Sequence, residues 1–360
     1  MPQISKLTKA FALAGCALGA LLSVTAAVAG PYTAEYVFGD SLSDNGNLVA
    51  ALGVTFPNPP SFHDSFTNGP VAVDVLAQSL GLPLNPSLWL TGPAGSGTNY
   101  AVAGATSVSP PPSSPPAPPI PQINLLNQVA AFSAHVGGVA DSSALYVVMI
   151  GGNDVRNAVL PGGGGLPAVQ AGVMAELAAI STLSAEDARN FLIVNVPNVG
   201  LIPEFAQENP SLAPFATTYS QDYDSLLAAG LATLDPTLPA GTSLDEFDLF
   251  GFNTTLLAEA LSLGFTNTMD PCYTNAPSTA ETTTACGPNA QNINSFIYWN
   301  DIHPTARVQA LWAQGMGAEL GVIVAIPEPS TWATMLIGFA ALGFAGYRTS
   351  RKGRATPLTA

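Results

Sequence analysis

Apolar runs that do not alternate with polar residues recur along this chain, and stretches with helical spacing lie between them. Glu35 to Phe38 forms a short strand leading into Gly39-Asp40-Ser41. Val71 to Leu80 carries apolar residues three and four apart, which predicts a helix. Asn99 to Ala103 is a further strand candidate. The alternation resumes with a helix over Ile123 to Val136, a strand over Ala144 to Ile150, a helix over Ala168 to Leu183 and a strand over Phe191 to Val196. Thr217 to Leu234 reads as helix, Ser243 to Phe250 as a weaker strand, and Thr305 to Val324 as a last helix. Strands apolar on both faces belong to parallel sheets covered on both sides. The expected fold is therefore α/β: a three-layer α/β/α sandwich with a mainly parallel, doubly wound sheet over residues 30–324.

Two interruptions stand out. Ser107 to Pro121 is so dense in proline that neither a helix nor a central strand can contain it, and an exposed, stiff loop is expected. Gly162 to Gly165 reads as a flexible connection, since a phosphate loop would need Lys and Ser or Thr after its glycines.

Both ends of the chain depart from this pattern. Lys6 and Lys9 precede an apolar run from Ala10 to about Val24, then Ala27-Val28-Ala29, which is the layout of a secretory signal over residues 1–29. Leu13-Ala14-Gly15-Cys16 offers a rival lipoprotein reading, but few apolar residues precede that Cys and many follow it. Near the other end, Trp332 to Tyr347 is apolar, and Arg348, Arg351, Lys352 and Arg354 follow it. That length just suffices to span a bilayer, and the basic cluster would keep the tail cytoplasmic.

Charge narrows the possible partners. Of 360 residues, 24 are Asp or Glu and 9 are Lys or Arg. The basic residues lie mostly at the ends, so the middle keeps only Arg156, Arg189 and Arg307. Phosphate backbones bind through Lys and Arg, and so nucleic acid is excluded as a partner. Cys272 and Cys286 remain once the leader is removed. In an oxidising compartment they would close a short loop worth about 3 kcal/mol. With no His near them in sequence they make a poor metal site, and no cofactor is implied.

Ligands of doubly wound sheets bind beyond the carboxyl ends of the strands. Four segments fall at such ends or just before the last helix. Phe38-Gly39-Asp40-Ser41-Leu42 presents a serine after a strand, placed near a helix N-terminus where backbone N–H groups could meet an oxyanion. Taken alone, such a serine is more often a cap or turn residue. Asn99 to Thr106 contains Gly104, which could let the backbone approach a substrate or could simply turn the chain. Gly151-Gly152-Asn153-Asp154 follows a buried strand, and its Asn153 amide could donate to an oxyanion or belong to a turn. Trp299-Asn300-Asp301-Ile302-His303-Pro304-Thr305 supplies a histidine with a carboxylate two residues before it and a proline starting the next helix.

Together these segments resemble the GDSL, or SGNH, hydrolase family. Gly39-Asp40-Ser41-Leu42 is similar to the naming motif, Gly104 to the second block, Gly151 to Asp154 to the third and His303-Pro304-Thr305 to the fifth. Asn195-Val196-Pro197-Asn198-Val199-Gly200 resembles a further familiar segment, and all occur in family order. The resemblance implies an ester hydrolase in which Ser41 attacks, His303 takes its proton, and the Ser41 and Gly104 N–H groups with Asn153 meet the oxyanion. The family's usual acidic position, three before the histidine, holds Asn300 here, so Asp301 or a loop adjustment is expected to supply the carboxylate. A small-molecule, lipid or acylated-carbohydrate ester is the expected substrate. A catalytically retired fold serving as an envelope or matrix protein is the alternative.

The tail carries a second resemblance. Pro327-Glu328-Pro329-Ser330-Thr331-Trp332, the apolar stretch and the basic cluster look like a PEP-CTERM sorting domain over residues 327–354. That resemblance implies an exosortase-type processing enzyme as a partner, transient anchoring in the inner membrane, and export to the envelope or exterior of a Gram-negative bacterium.

Overall fold

A computed structural model of the chain describes residues 30–93, 95–108, 123–274, 285–287 and 290–324. The expected leader, most of the proline-dense loop and the sorting segment lie outside the described residues.

Four parallel strands form the central sheet in the order β1 (Glu35–Gly39), β2 (Leu145–Met149), β3 (Asn190–Val194) and β4 (Ser243–Phe247). Val37, Phe38 and all of β2 are buried, as the unbroken apolar runs require of a sheet covered on both faces. The helices divide accordingly. α2 (Ala72–Leu80) packs with α8 (Ala306–Glu319) on one side, joined by α7 (Leu249–Ala258). α3 (Leu125–Val136), α4 (Gly152–Val159), α5 (Gly165–Ala185) and α6 (Ala213–Leu234) pack together on the other. α5 is long and apolar enough to cross a membrane, yet here it packs against α3, α4 and α6 as a core helix.

The Asn99–Ala103 segment departs from its expected regular strand. It runs along the free edge of β1, with Tyr100 N–H donating to Val37 O (2.7 Å) and Val102 N–H to Gly39 O (3.1 Å). The ladder stops there because side chains take over its backbone groups. Asn47 Nδ2 donates to both Asn99 O and Ala101 O, and Ala101 N–H donates to Asn99 Oδ1. Counting this segment, which comes second in the chain, the sheet reads 2-1-3-4-5, so its topological switch point lies between β1 and β2.

Several elements were not legible in the pattern. These are α1 (Asn47–Leu52), α4, α7, and a two-stranded sheet of β5 (Asn267–Pro271) and β6 (Phe296–Tyr298). The weaker strand expected over Ser243 to Phe250 ends at Phe247, because Asp248 caps α7 by accepting from Gly251 N–H (2.9 Å). Gly165, expected in a connection, already belongs to α5. Cys272 and Cys286 form a disulfide that ties the approach to β6.

Candidate active site

Ser41 is placed by the way β1 ends. A side chain at Gly39 would lie 2.4 Å from Met149 O, so only glycine lets β1 and β2 approach this closely at their carboxyl ends. The buried Gln128 side chain then fixes the exit. Its Oε1 accepts from Gly39 N–H and its Nε2 donates to Gly39 O, both at 2.8 Å. Asp40 O accepts from Ser43 and Asp44 N–H, and the Asp40 carboxyl accepts from Leu42 N–H, which closes a turn around Ser41. Asp44 gathers the N–H groups of Gly46, Asn47, Leu48 and Ala103, joining this turn to the edge segment. Ser41 thus stands in a turn well before α1, not at a helix N-terminus as its spacing suggested. The helix that starts at the site is α4.

His303 is held by a loop between β6 and α8. Trp299 N–H donates to His303 O (2.8 Å), and Asn300 Oδ1 accepts from the N–H groups of Ile302 (3.0 Å) and His303 (2.7 Å). The same Asn300 oxygen lies 3.0 Å from His303 Nδ1, and His303 Nε2 lies 2.7 Å from Ser41 Oγ. An amide oxygen only accepts, so Nδ1 carries the proton and Nε2 is left free to receive one from the serine. The expectation that Asp301 turns its carboxylate to the ring is corrected: Asn300 occupies that place. Asp301 instead accepts from Glu204 N–H through its carbonyl (2.9 Å), and burial together with the Glu204 charge raises its carboxyl pKa.

Aromatic rings complete the seat. Phe66 packs at 5.1 Å and Trp299 at 6.3 Å from the imidazole, and Trp299 Nε1 donates to Pro60 O. Burial, with a smaller push from the Arg156 charge, takes the His303 pKa down to about 3. The ring is therefore neutral at neutral pH, the state a proton acceptor needs.

Asn153 sits in the first turn of α4 and lines the same cleft as Ser41. Its Nδ2 donates to Ala105 O at 2.8 Å. An amide nitrogen has two hydrogens, so one remains for a bound group. Gly104 precedes Ala105 and has φ +84°, a conformation glycine adopts without strain. Ser107, expected in an exposed loop, is instead fully buried: its N–H donates to Asp154 Oδ2 (2.8 Å), and its Oγ lies 3.0 Å from Tyr223 OH. Asn153 and Asp154 together fasten the Gly104 block to α4.

Motif reading missed Arg156 and Glu204. Arg156, one turn after Asn153, lines the cleft and makes a bidentate ion pair with Glu204, whose N–H holds the Asp301 carbonyl. No spacing relates residues 156, 204 and 301, so only the Arg156 charge in an acidic chain could have drawn notice. Among the described residues, no group of three or more His, Cys, Asp or Glu side chains is arranged to hold a metal ion.

Several acids are buried in the fold, some of them close to the site. Desolvation raises the Asp40 and Asp154 pKa values to about 7 and that of Asp224 to about 8, against partial lowering by backbone N–H donors. Glu35 and Glu176, fully buried, are raised well above the ordinary range. Each binds its proton more tightly folded than unfolded. The stability these groups contribute is thus present below the unfolded value of about 4 and lost as pH rises through the folded ones. His303 acts in the opposite sense below its unfolded value, but it is one group against five. The melting temperature should therefore fall from about pH 5 to about pH 8. A rise over that window in thermal melts would show these carboxyls to be ionised and paired.

A doubly wound α/β fold with a serine hydroxyl on a neutral histidine at the switch point defines a serine hydrolase. Comparison with known proteins agrees with that class. Residues 36–316 match the family model described as GDSL-like Lipase/Acylhydrolase, and the chain belongs to that family. Among its relatives, Acetylajmalan esterase 2 of Rauvolfia serpentina is 27% identical over 76% of this chain and 86% of its own length. GDSL esterase/lipase LIP-4 of Arabidopsis thaliana is 26% identical over 77% of this chain and 83% of its own. The thermolabile hemolysin of Vibrio parahaemolyticus is 26% identical over 77% and 61%. The chain is thus a GDSL-type esterase/lipase.

Proposed function

We propose that this chain is an exported carboxylic ester hydrolase acting on lipid-like or acylated-carbohydrate esters through an acyl-enzyme. The observation that carries the chemistry is the 2.7 Å approach of Ser41 Oγ to His303 Nε2. In the first half-reaction Nε2 takes the hydroxyl proton while Oγ attacks the ester carbonyl. The oxyanion is met by the Ser41 and Gly104 N–H groups and the free Asn153 Nδ2 hydrogen. Collapse of the intermediate breaks the bond to the alcohol oxygen, which leaves with the proton from Nε2. Water, deprotonated by the same nitrogen, then releases the acid and restores Ser41.

Incubating the purified chain with p-nitrophenyl acetate and butanoate tests this reading. Catalysed release of p-nitrophenolate is expected, and none above the blank with any acyl group would overturn it. Asn153→Ala should lower kcat by about 100- to 1,000-fold with KM little changed, as loss of one oxyanion donor does elsewhere. Steady-state kinetics on the same esters check that split.

Export rests on the order of parts in the sequence. Leader-like residues 1–29 precede the family match, and the match ends before Pro327-Glu328-Pro329 and its apolar and basic followers. That order favours a PEP-CTERM signal processed by an exosortase-type enzyme after transient inner-membrane anchoring. A deacylase of exported polysaccharide would suit that location.

A further inference from the structure

One hydrogen of the Asn153 amide is held by Ala105 O, so the position of that carbonyl decides where the other hydrogen points. Asn153 stands on α4, and Ala105 belongs to the segment that runs on to Ser107. The bond therefore spans two separate pieces of chain. Its direction is constant only if both pieces are fixed to something in common.

Tyr223, on α6, is that common post. Its ring presses on the turn that starts α4: a side chain at Gly151, where φ is +103°, would lie 2.5 Å from Tyr223 Cζ. Its hydroxyl lies 3.0 Å from Ser107 Oγ. The same hydroxyl donates to Glu176 Oε2 of α5 at 2.7 Å. Ser107 in turn reaches α4, with its N–H donating to Asp154 Oδ2 at 2.8 Å and its Oγ at 3.2 Å from the same oxygen. Ser107, Glu176 and Tyr223 are all fully buried. Apolar side chains would join α5 to α6 at lower cost than a carboxyl and a phenol withdrawn from water. What a hydrogen-bonded chain adds to packing is direction, and this one ends beside both partners of the Asn153–Ala105 bond.

We propose that Tyr223 is a positioning residue for ester hydrolysis: by tying Ser107 to the start of α4, it aims the free Asn153 Nδ2 hydrogen at the oxyanion. The inference rests on the ester-hydrolase reading above and on Asn153 as an oxyanion donor. Tyr223 acts through Ser107 and Gly151 and not on the substrate itself. Its effect therefore falls on the transition state, where negative charge has developed on the carbonyl oxygen, and spares the bound ester.

Steady-state hydrolysis of p-nitrophenyl acetate and butanoate by the full chain tests this in two backgrounds. Tyr223→Phe keeps the ring on Gly151 and removes only the hydroxyl. In the wild-type background it should lower kcat by about tenfold to a hundredfold, up to the loss an ångström of misplacement causes, with KM within about twofold. In the Asn153→Ala background no amide is left to aim, and the same change should cost less than about threefold. Ser107→Ala cuts the link from its other end while keeping the Ser107 N–H on Asp154. It should show the same pair of losses, and it carries the test if Tyr223→Phe does not fold. An equal loss in both backgrounds overturns the proposal, since that is what a merely less stable protein gives. So does a folded Tyr223→Phe enzyme with kcat within about twofold of wild type, or a loss confined to KM. An Asn153→Ala enzyme as fast as wild type removes the donor and the proposal with it. A wild-type chain inert to both esters is a separate result, which removes the ester-hydrolase reading beneath them.

Discussion

Ser41→Ala should lower kcat by about a million-fold, the loss seen when a nucleophile of this kind is removed. The hydroxyl is the group that bonds His303 Nε2, and the side chain is only 8% exposed, so water cannot simply take its place. The fold should survive. The turn around Ser41 is held by Asp40, Asp44 and Gln128, none of which uses the serine hydroxyl. Circular dichroism should therefore match the wild type while ester hydrolysis drops to the residue left by substrate binding and the oxyanion donors. Retention within about tenfold of wild-type turnover would mean that another group attacks.

Asn300→Ala should cost about 10,000-fold, the penalty for a histidine released into the wrong tautomer. Three groups converge on Asn300 Oδ1: His303 Nδ1 and the N–H groups of Ile302 and His303. Its removal also leaves buried donors unpaired, at about 1–3 kcal/mol each, so stability should fall as well. Asn300→Asp separates the two effects. It keeps the acceptor and adds a charge that stabilises imidazolium, so the His303 pKa should rise from about 3 toward the ordinary histidine range and kcat should increase. A pH–rate profile reads both, since the acid limb should move upward in the variant. An acid limb that stays where the wild type has it would show that the ring is governed by Phe66, Trp299 and Arg156 instead.

The comparison of Asn300 with Asp301 shows where sequence reasoning reached its limit. Both lie within reach of an imidazole on paper, and chemistry favours the carboxylate. The outcome depends on the turn: an oxygen three residues before the histidine can accept from the two backbone N–H groups that close the turn and from Nδ1 together. Asp301 is spent elsewhere, its carbonyl held by Glu204, which Arg156 holds in turn. These partners lie on a π-helical turn (Glu204–Glu208) and on α4, which are five and eight residues long, too short for a periodic pattern to stand out in the chain. The short helices α1, α4 and α7 escaped notice for a related reason: they are six to ten residues long and start from side-chain or glycine turns without a sustained apolar stripe.

What the sequence determined by itself was the layered α/β plan and the choice of Ser41 and His303 as partners, because buried parallel strands impose continuous apolar runs and these two residues follow directly at a strand end or before a helix. Tertiary structure alone decided the ring's partner and the neutral state of His303. Those depend on distances between residues far apart in the chain and on the water that packing excludes, and neither quantity is written in any local stretch of residues.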